Sequence, residues 1–255
     1  MPVLFVGHGN PMNAIERNEF SRRWHELGRQ LPKPKAVLCI SAHWETRGVY
    51  VTAAQKPETI HDFYGFPKAL FDVQYQVSGD PRLARRVAEL ISSTKVRLDP
   101  GRGLDHGAWS VLVAMYPAAD IPVVQLSLDT GQPGKFHYAL ARELAPLRDE
   151  GILILGSGNM VHNLRLFSFH DPQPLLWATE CDATLRQRIQ AREHESLMDY
   201  DTLGANARLA VPTPEHYFPL LYALALQEAA EPASFFNDRI ISAISMTSVL
   251  ISASA

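Results

Sequence analysis

Histidine is the residue type whose placement in this sequence most clearly predicts chemistry. Neutral imidazole is the commonest metal ligand in proteins and suits Zn(II) and Fe(II), while a hydrogen-bond acceptor fixes its second nitrogen. Among the 10 histidines, the four that follow a predicted strand end or lie beside a Gly or Pro turn are His8, His43, His162 and His216. Their spacing matches no local metal motif, and a turn histidine can also simply hydrogen-bond backbone. They predict a metal site on condition that the fold brings them together.

The segments before these histidines predict how the fold does so. Three apolar, strand-type runs each lead to one histidine: residues 3–6 to His8, residues 36–41 to His43, and residues 152–155, which break at Gly156, to His162. In an open α/β sheet, ligands bind at the rim where the strands end. Three strand ends that each deliver a histidine therefore predict one shared site.

Strand-like and helix-like segments alternate along the rest of the chain. Residues 49–53 and 122–128 are typical of strands, residues 14–30 and 133–147 of helices, and Asp80-Pro81 of a helix start; residues 239–250 alternate like a late strand. This alternation predicts an α/β fold with a mainly parallel or mixed central sheet covered by helices on both faces. With 255 residues, 46% of them apolar, and no repeat or linker, residues 1–255 are expected to form a single domain.

Composition and charge point to a small-molecule partner. The net charge is −3 and the basic residues are scattered, so the sequence has no cluster of positive charge that would bind nucleic acid or an anionic membrane. The two cysteines, Cys39 and Cys181, cannot form a zinc knuckle or a disulfide framework, so a reducing cytoplasm is expected. We expect no signal peptide before Val3, and no apolar run approaches the length of a membrane span. The oligomeric state is not encoded in any of these features.

Six motifs in fixed order carry a resemblance to a known family. They are residues 7–12 (GHGNPM), 41–44 (SAHW), 60–63 (IHDF), 105–107 (DHG), 156–163 (GSGNMVHN) and 212–217 (PTPEHY). Together they resemble the class III extradiol ring-cleaving dioxygenases, and most closely the branch similar to DOPA 4,5-dioxygenase. The resemblance covers nearly the whole chain, and its specificity comes from the set rather than from any single motif.

The resemblance implies one divalent metal per chain at the sheet rim, Fe(II) for ring cleavage or Zn(II) as bound. Its ligands would be His8, His43 and His216. His162 would act as acid/base and approach as a fourth ligand when the pocket is empty. Three further residues would serve the site, His106 as a catalytic residue that orients the substrate or the oxygen intermediate, and His61 and Tyr217 in substrate binding. The substrates would be a DOPA-like catechol and O2; for His61 and His106 the alternative is ordinary turn hydrogen bonding.

One departure from the wider class leaves the third ligand to be decided. Many class III enzymes use a glutamate with two histidines, whereas here Glu215 and His216 are neighbours, which point in different directions on a helix or turn. The closer branch favours His216, which makes the site richer in nitrogen and more hospitable to zinc. Two alternatives therefore stay open: a zinc hydrolase built on the same histidines, and a non-catalytic metal-binding protein on the same fold.

Overall fold

Ten strands and ten α-helices lie within residues 1–253, the part of the chain that this computed structural model describes. The strands are β1 (Val3–Gly7), β2 (Ala36–Thr46), β3 (Val49–Thr52), β4 (Val96–Asp99), β5 (Val123–Asp129), β6 (Ile152–Gly158), β7 (Ala233–Phe236), β8 (Ile240–Ile241), β9 (Ile244–Ser245) and β10 (Ser248–Ile251). The helices are α1 (Glu19–Gln30), α2 (Lys68–Phe71), α3 (Pro81–Leu90), α4 (His106–Met115), α5 (Gly134–Arg142), α6 (Pro146–Asp149), α7 (Leu176–Gln190), α8 (His194–Met198), α9 (Ala205–Ala210) and α10 (Phe218–Ala225). Short 3-10 turns span Pro11–Ala14 and Tyr200–Leu203.

Eight of the strands within residues 1–253 form one mixed sheet in the order β4-β3-β5-β2-β6-β1-β10-β7. The central strands β5, β2, β6 and β1 are parallel to one another. Antiparallel pairs join β3 to β5 on one side and β10 to β1 and β7 on the other. The parallel centre brings the carboxyl ends of β1, β2 and β6 to the same edge, as the sequence predicts.

Side chains of the central strands alternate between two apolar clusters, one on each face of the sheet. Val3 and Phe5 of β1 point to the face that α5, α7 and α10 cover, whereas Leu4 and Val6 point to the face that α1 and α4 cover. All four are fully buried, and each such side chain contributes roughly 1.5–3 kcal/mol. The predicted α/β fold with helices on both faces of a mixed sheet is confirmed.

Local chemistry explains where several elements begin. Asp80 accepts the Arg82 and Leu83 amides at the start of α3, as expected of a cap before Pro81. The helix predicted from residue 14 instead begins at Glu19, because Asn18 forms a capping box there. The helix predicted over residues 133–147 divides into α5 and α6, because Pro146 has no amide hydrogen with which to continue α5.

Two predicted strand boundaries are wrong for physical reasons that bear on the site. β6 continues through Gly156 and Gly158, since these glycines make room for neighbouring backbone: a Cβ on Gly158 would collide with the carbonyl oxygen of His216. The late strand predicted over residues 239–250 is three strands, and Ser242, in the left-handed region at φ 52°, reverses the chain between β8 and β9.

Cys39 and Cys181 are both buried free thiols. Burial raises the pKa of each thiol, so neither is a reactive nucleophile at neutral pH. Among the helices of residues 1–253, none has the length and apolar character needed to cross a bilayer. The cytoplasmic location expected from the sequence stays a prediction.

Candidate metal centre and active site

His8, His43 and His216 converge at the carboxyl edge of the parallel strands. One ring nitrogen from each lies within 4.8 Å of the others, and the ring centroids are 5.0–5.4 Å apart. His8 directly follows β1, and His216 lies two residues before α10. His43 lies inside β2, where pairing with β5 is irregular between Ile40 and Glu45; such bulges often re-aim a side chain beside an active site. Residues that are remote in sequence thus form a triad that can hold a metal ion.

Ser157 determines which ring nitrogen of His8 carries the hydrogen. The Ser157 hydroxyl donates to the Gly107 carbonyl at 2.5 Å, and its oxygen lies 3.0 Å from Nδ1 of His8. Because the single hydroxyl hydrogen is used on Gly107, the contact with His8 requires Nδ1–H as donor. Nε2 of His8 therefore carries a free lone pair that points into the triad.

Glu215 likewise determines which ring nitrogen of His216 carries the hydrogen. Its Oε1 lies 3.0 Å from Nδ1 of His216 and also accepts the hydroxyl of Thr213 at 2.9 Å. An ionised carboxylate only accepts, so His216 donates from Nδ1 and keeps Nε2 as a ligand atom. The sequence predicts that Glu215 and His216 point in different directions, whereas in the structure the Glu215 side chain folds back onto the ring of His216. Glu215 itself belongs to a second group of potential ligands, with His162 and His216.

The distance between His8 and His43 fits a shared cation. Their Nε2 atoms are 3.2 Å apart, and the Nε2 of His8 has no hydrogen to offer. Two nitrogens on one tetrahedral zinc, each at about 2.1 Å, lie about 3.4 Å apart. A donor set of three imidazole nitrogens suits zinc and iron. The residues present therefore fit a divalent metal.

Burial keeps the triad neutral. Desolvation, reinforced by the neighbouring histidines, lowers the pKa of His8, His43 and His216 well below the ordinary histidine value. For His43, Asp62 and Glu215 oppose this effect without reversing it. Imidazole must be unprotonated to bind a metal, so the site is prepared for one at neutral pH.

His106 is the first residue of α4 and packs against the triad. Its ring centroid lies 3.9 Å from that of His43 and 5.9 Å from that of His8. Oδ1 of Asp62 accepts from both the backbone amide and Nδ1 of His106, at 2.9 and 3.0 Å. Although burial raises the pKa of Asp62, hydrogen bonds from His106 leave that pKa below its ordinary value. Asp62 is therefore an ionised partner of His106 at neutral pH.

His162 lies on the other side of the triad. Its ring stacks on that of His216 with centroids 3.6 Å apart and an angle of 11°. Backbone bonds from His162 to the Ala210 carbonyl and from Ser245 to the Val161 carbonyl anchor the loop. Burial lowers the pKa of His162 to about 4. The ring is therefore neutral at pH 7 and able to accept a proton.

His61 and Tyr217 are not brought into the histidine cluster. Nε2 of His61 lies 3.0 Å from the Val73 carbonyl, and its ring packs near Phe63 and Trp109. Tyr217 is fully buried, and its hydroxyl donates to the Leu197 carbonyl at 3.0 Å. The substrate-binding role predicted for each stays a prediction.

Three residues that support the site were missed by reasoning from the sequence. Ser157 lies between two glycines of one motif, and its partner His8 is 149 positions away in the chain. Asp62 follows His61 in another motif, and its partner His106 is 44 positions away. Gly107 is the second residue of α4 and lies beside the triad, where a Cβ would collide with the Ser41 hydroxyl and lie 2.9 Å from Cδ2 of His43. Only the placement of a polar or small residue in the same motif as a predicted site histidine could have drawn attention to them.

Comparison with known proteins identifies the family to which this chain belongs. Residues 3–248 match the family described as the catalytic LigB subunit of aromatic ring-opening dioxygenase. The match covers nearly the whole chain. The chain belongs to this family of ring-opening dioxygenases.

Individual relatives refine that placement. The chain is 47% identical to the 4,5-DOPA dioxygenase extradiol of Escherichia coli K12, over 98% of this chain and 94% of that protein. It is 42% identical to the 4,5-DOPA dioxygenase extradiol of Beta vulgaris, over 87% and 85%. A crystal structure of an uncharacterized protein from Escherichia coli K12 superposes with a TM-score of 0.87 at 42% identity, covering 99% of this chain and all of that one. The chain is an extradiol ring-cleaving dioxygenase, and the resemblance found in the sequence is confirmed.

Proposed function

We propose that this enzyme opens the ring of a DOPA-like catechol with O2, using one Fe(II) held by His8, His43 and His216. The observation that carries the proposal is the convergence of three imidazoles, two of which have Nε2 freed by a partner at Nδ1, Ser157 for His8 and Glu215 for His216. The names of the relatives supply the substrate class. Zn(II) would fit the same nitrogens, so the metal bound after purification need not be the catalytic one.

A bound Fe(II) would supply the Lewis-acid and one-electron chemistry that joins a catechol to O2. The residues of the chain supply proton handling and position. His162, neutral at pH 7, takes the proton of a catechol hydroxyl: the O–H bond breaks, an N–H bond forms on the imidazole, and the charge stays on the substrate oxygen. The same ring later returns the proton to the product. His106 presents a second imidazole from the opposite side of His43 and orients the substrate.

The two alternatives that the sequence left open predict different reactions. A zinc hydrolase would hydrolyse an ester or an amide. A non-catalytic metal-binding protein would show neither hydrolysis nor catechol-dependent O2 uptake. The family match and the named relatives favour the dioxygenase.

The test is an anaerobic reconstitution of metal-free protein with one Fe(II) per chain, followed by oxygenated buffer and a panel of catechols that includes DOPA. We expect catechol-dependent O2 uptake with one O2 consumed per ring opened, and none with Zn(II). His8→Ala should lose the activity, while His170→Ala, an exposed histidine outside the site, should keep it. Full iron occupancy without catechol-dependent O2 uptake would overturn the proposal.

A further inference from the structure

The carboxylate of Asp62 lies between two histidines of the site and uses a different oxygen toward each. Oδ1 accepts from the backbone amide and the ring Nδ1 of His106, and Oδ2 lies 4.0 Å from Nδ1 of His43. We propose that Asp62 is a positioning residue that sets the ring tautomers of both His106 and His43. Its consequence for turnover rests on the proposed function, but the tautomers themselves do not.

The contact with His106 decides which ring nitrogen carries the hydrogen. An ionised carboxylate has no hydrogen to donate, so Nδ1 of His106, 3.0 Å away, must be the donor. The backbone amide of His106 donates to the same oxygen and fixes the direction from which the ring approaches. Nε2 of His106 is then an acceptor, suited to receive a hydrogen bond from a substrate hydroxyl.

The contact with His43 is longer and acts through charge. A negative oxygen 4.0 Å from Nδ1 favours the tautomer in which Nδ1 carries the hydrogen. In the metal-free protein, Nε2 of His43 lies 3.2 Å from the hydrogen-free Nε2 of His8 and can donate a hydrogen bond to it. When a metal replaces that hydrogen, the charge of Asp62 favours a ring hydrogen on Nδ1, so that Nε2 of His43 can bind the metal. One carboxylate thus makes one histidine a metal ligand and its neighbour a hydrogen-bond acceptor.

The chain segment that carries Asp62 is held firmly in place. The Ile60 amide donates to the Leu104 carbonyl, and the Trp109 indole donates to the Ile60 carbonyl, both at 2.8 Å. These bonds tie the aromatic segment of residues 57–67 to the loop before α4 and to α4 itself. The carboxylate is preorganised rather than delivered by a mobile loop, and such partners of ligating histidines typically govern affinity and activity.

Asp62→Asn separates the two roles. The backbone amide of His106 needs an acceptor, so the Asn oxygen faces His106 and preserves its tautomer. The amide nitrogen then faces Nδ1 of His43 and opposes a hydrogen there. Asp62→Ala removes both influences. Glu58→Gln, which removes a charge from an exposed side chain of the same segment, is the matched control.

The experiment measures ring tautomers in metal-free protein by 15N–1H NMR of labelled histidines, with His106→Gln to assign the resonance, and Zn(II) affinity by titration. We expect Nδ1–H at His106 in the wild type, Asp62→Asn and Glu58→Gln, and Nε2–H in Asp62→Ala. Zn(II) affinity should fall about 10- to 100-fold in both Asp62 variants and not in Glu58→Gln. In iron-loaded protein at equal occupancy, Asp62→Ala should lower kcat more than Asp62→Asn, with KM changed less than kcat.

Two results would overturn the inference: Nε2–H at His106 in the wild type, or Zn(II) affinity in Asp62→Asn equal to that of the wild type. A wild-type protein that shows the expected tautomers and Zn(II) affinities but turns over no catechol would instead overturn the proposed function alone.

Discussion

The imidazole of His162 lies flat on that of His216, with centroids 3.6 Å apart and planes 11° from parallel. A ring nitrogen of each histidine also lies within 4.8 Å of a Glu215 oxygen. We expect His216 to be the metal ligand and the nitrogen of His162 to be left for the substrate.

His162→Ala should therefore keep most of the metal affinity and lose turnover by about 100- to 10,000-fold, as is typical for a general acid/base. His162→Phe, which retains an aromatic plane on His216 without a nitrogen, should be equally slow. Metal content and catechol turnover of the two variants provide the check. Loss of the metal with His162 would make it a permanent ligand, and a variant with both properties intact would show that it is neither.

His8→Ala and His43→Ala should each abolish stoichiometric metal binding while the fold remains. Both rings lie at the sheet edge, outside the apolar clusters that stabilise the protein. Metal analysis after dialysis against a weak chelator, with circular dichroism to verify folding, gives the answer. Full occupancy in either variant would remove that residue from the ligand set.

Glu215 and His216 should respond in opposite ways to substitution. Glu215→Gln should keep the metal, because the amide oxygen can still accept from Nδ1 of His216. His216→Ala should lose it. The two stoichiometries, measured at equal protein concentration, distinguish this arrangement from a carboxylate triad, which predicts the reverse pattern.

Gly107→Ala should disturb the site. Alanine favours helices, but a Cβ here would lie 2.9 Å from Cδ2 of His43 and displace that ring. Zn(II) affinity should drop at least tenfold, and Tm should fall as well, because the Cβ would also meet the buried Ser41 hydroxyl that donates to Asp105. The matched control is Gly101→Ala, where the nearest atom, on Asp99, is 3.6 Å away. Equal affinities in the two variants would mean that the His43 ring tolerates the shift.

A buried histidine remote from the metal predicts a pH dependence of stability. His137 is fully buried, between the Tyr222 hydroxyl and the Asp129 carbonyl. Burial lowers its pKa from 6.5 to about 4, despite the opposing contact with Asp129. Between these pH values the unfolded chain binds the proton more readily than the native chain, so the free energy of unfolding falls as the pH is lowered. The contribution of His137 to this loss of unfolding free energy is on the order of 2–3 kcal/mol at pH 4.5 relative to pH 7.

His137→Gln can donate to Asp129 and accept from Tyr222 without titrating. Urea unfolding of the metal-free proteins at pH 7 and 4.5 should show a smaller loss of stability for this variant than for the wild type. His170→Gln, at an exposed position, should behave like the wild type. The same loss in all three proteins would assign the pH dependence to other groups.

The sequence predicts the positions of site residues better than their partners. His8, His43 and His162 could be selected because a short strand or a glycine turn precedes each, and local patterns carry that information. The pairing of Ser157 with His8, or of Asp62 with His106, depends on how distant segments pack, which no local pattern encodes.

Glycines illustrate the same limit. Gly156 predicts a strand break when it is judged by its own conformational freedom. In the folded protein Gly156 lies inside β6. The position needs a glycine because α10 passes so close that a Cβ would meet the Pro219 carbonyl. The sequence pattern attributes Gly156 to a local turn, whereas the glycine is required by the close approach of α10.

The place of β1 in the sheet has a consequence for biosynthesis. β1, which delivers His8, is flanked by β6 and by β10, strands that the ribosome makes much later, and His216 also emerges late. A nascent chain therefore displays His8 and His43 long before His216 is made. Pairing across such sequence separations is slow to form. Metal binding by the proposed triad would therefore have to wait until His216 is made, and a chain that stalls before His216 would offer a cation two imidazoles of that triad instead of three.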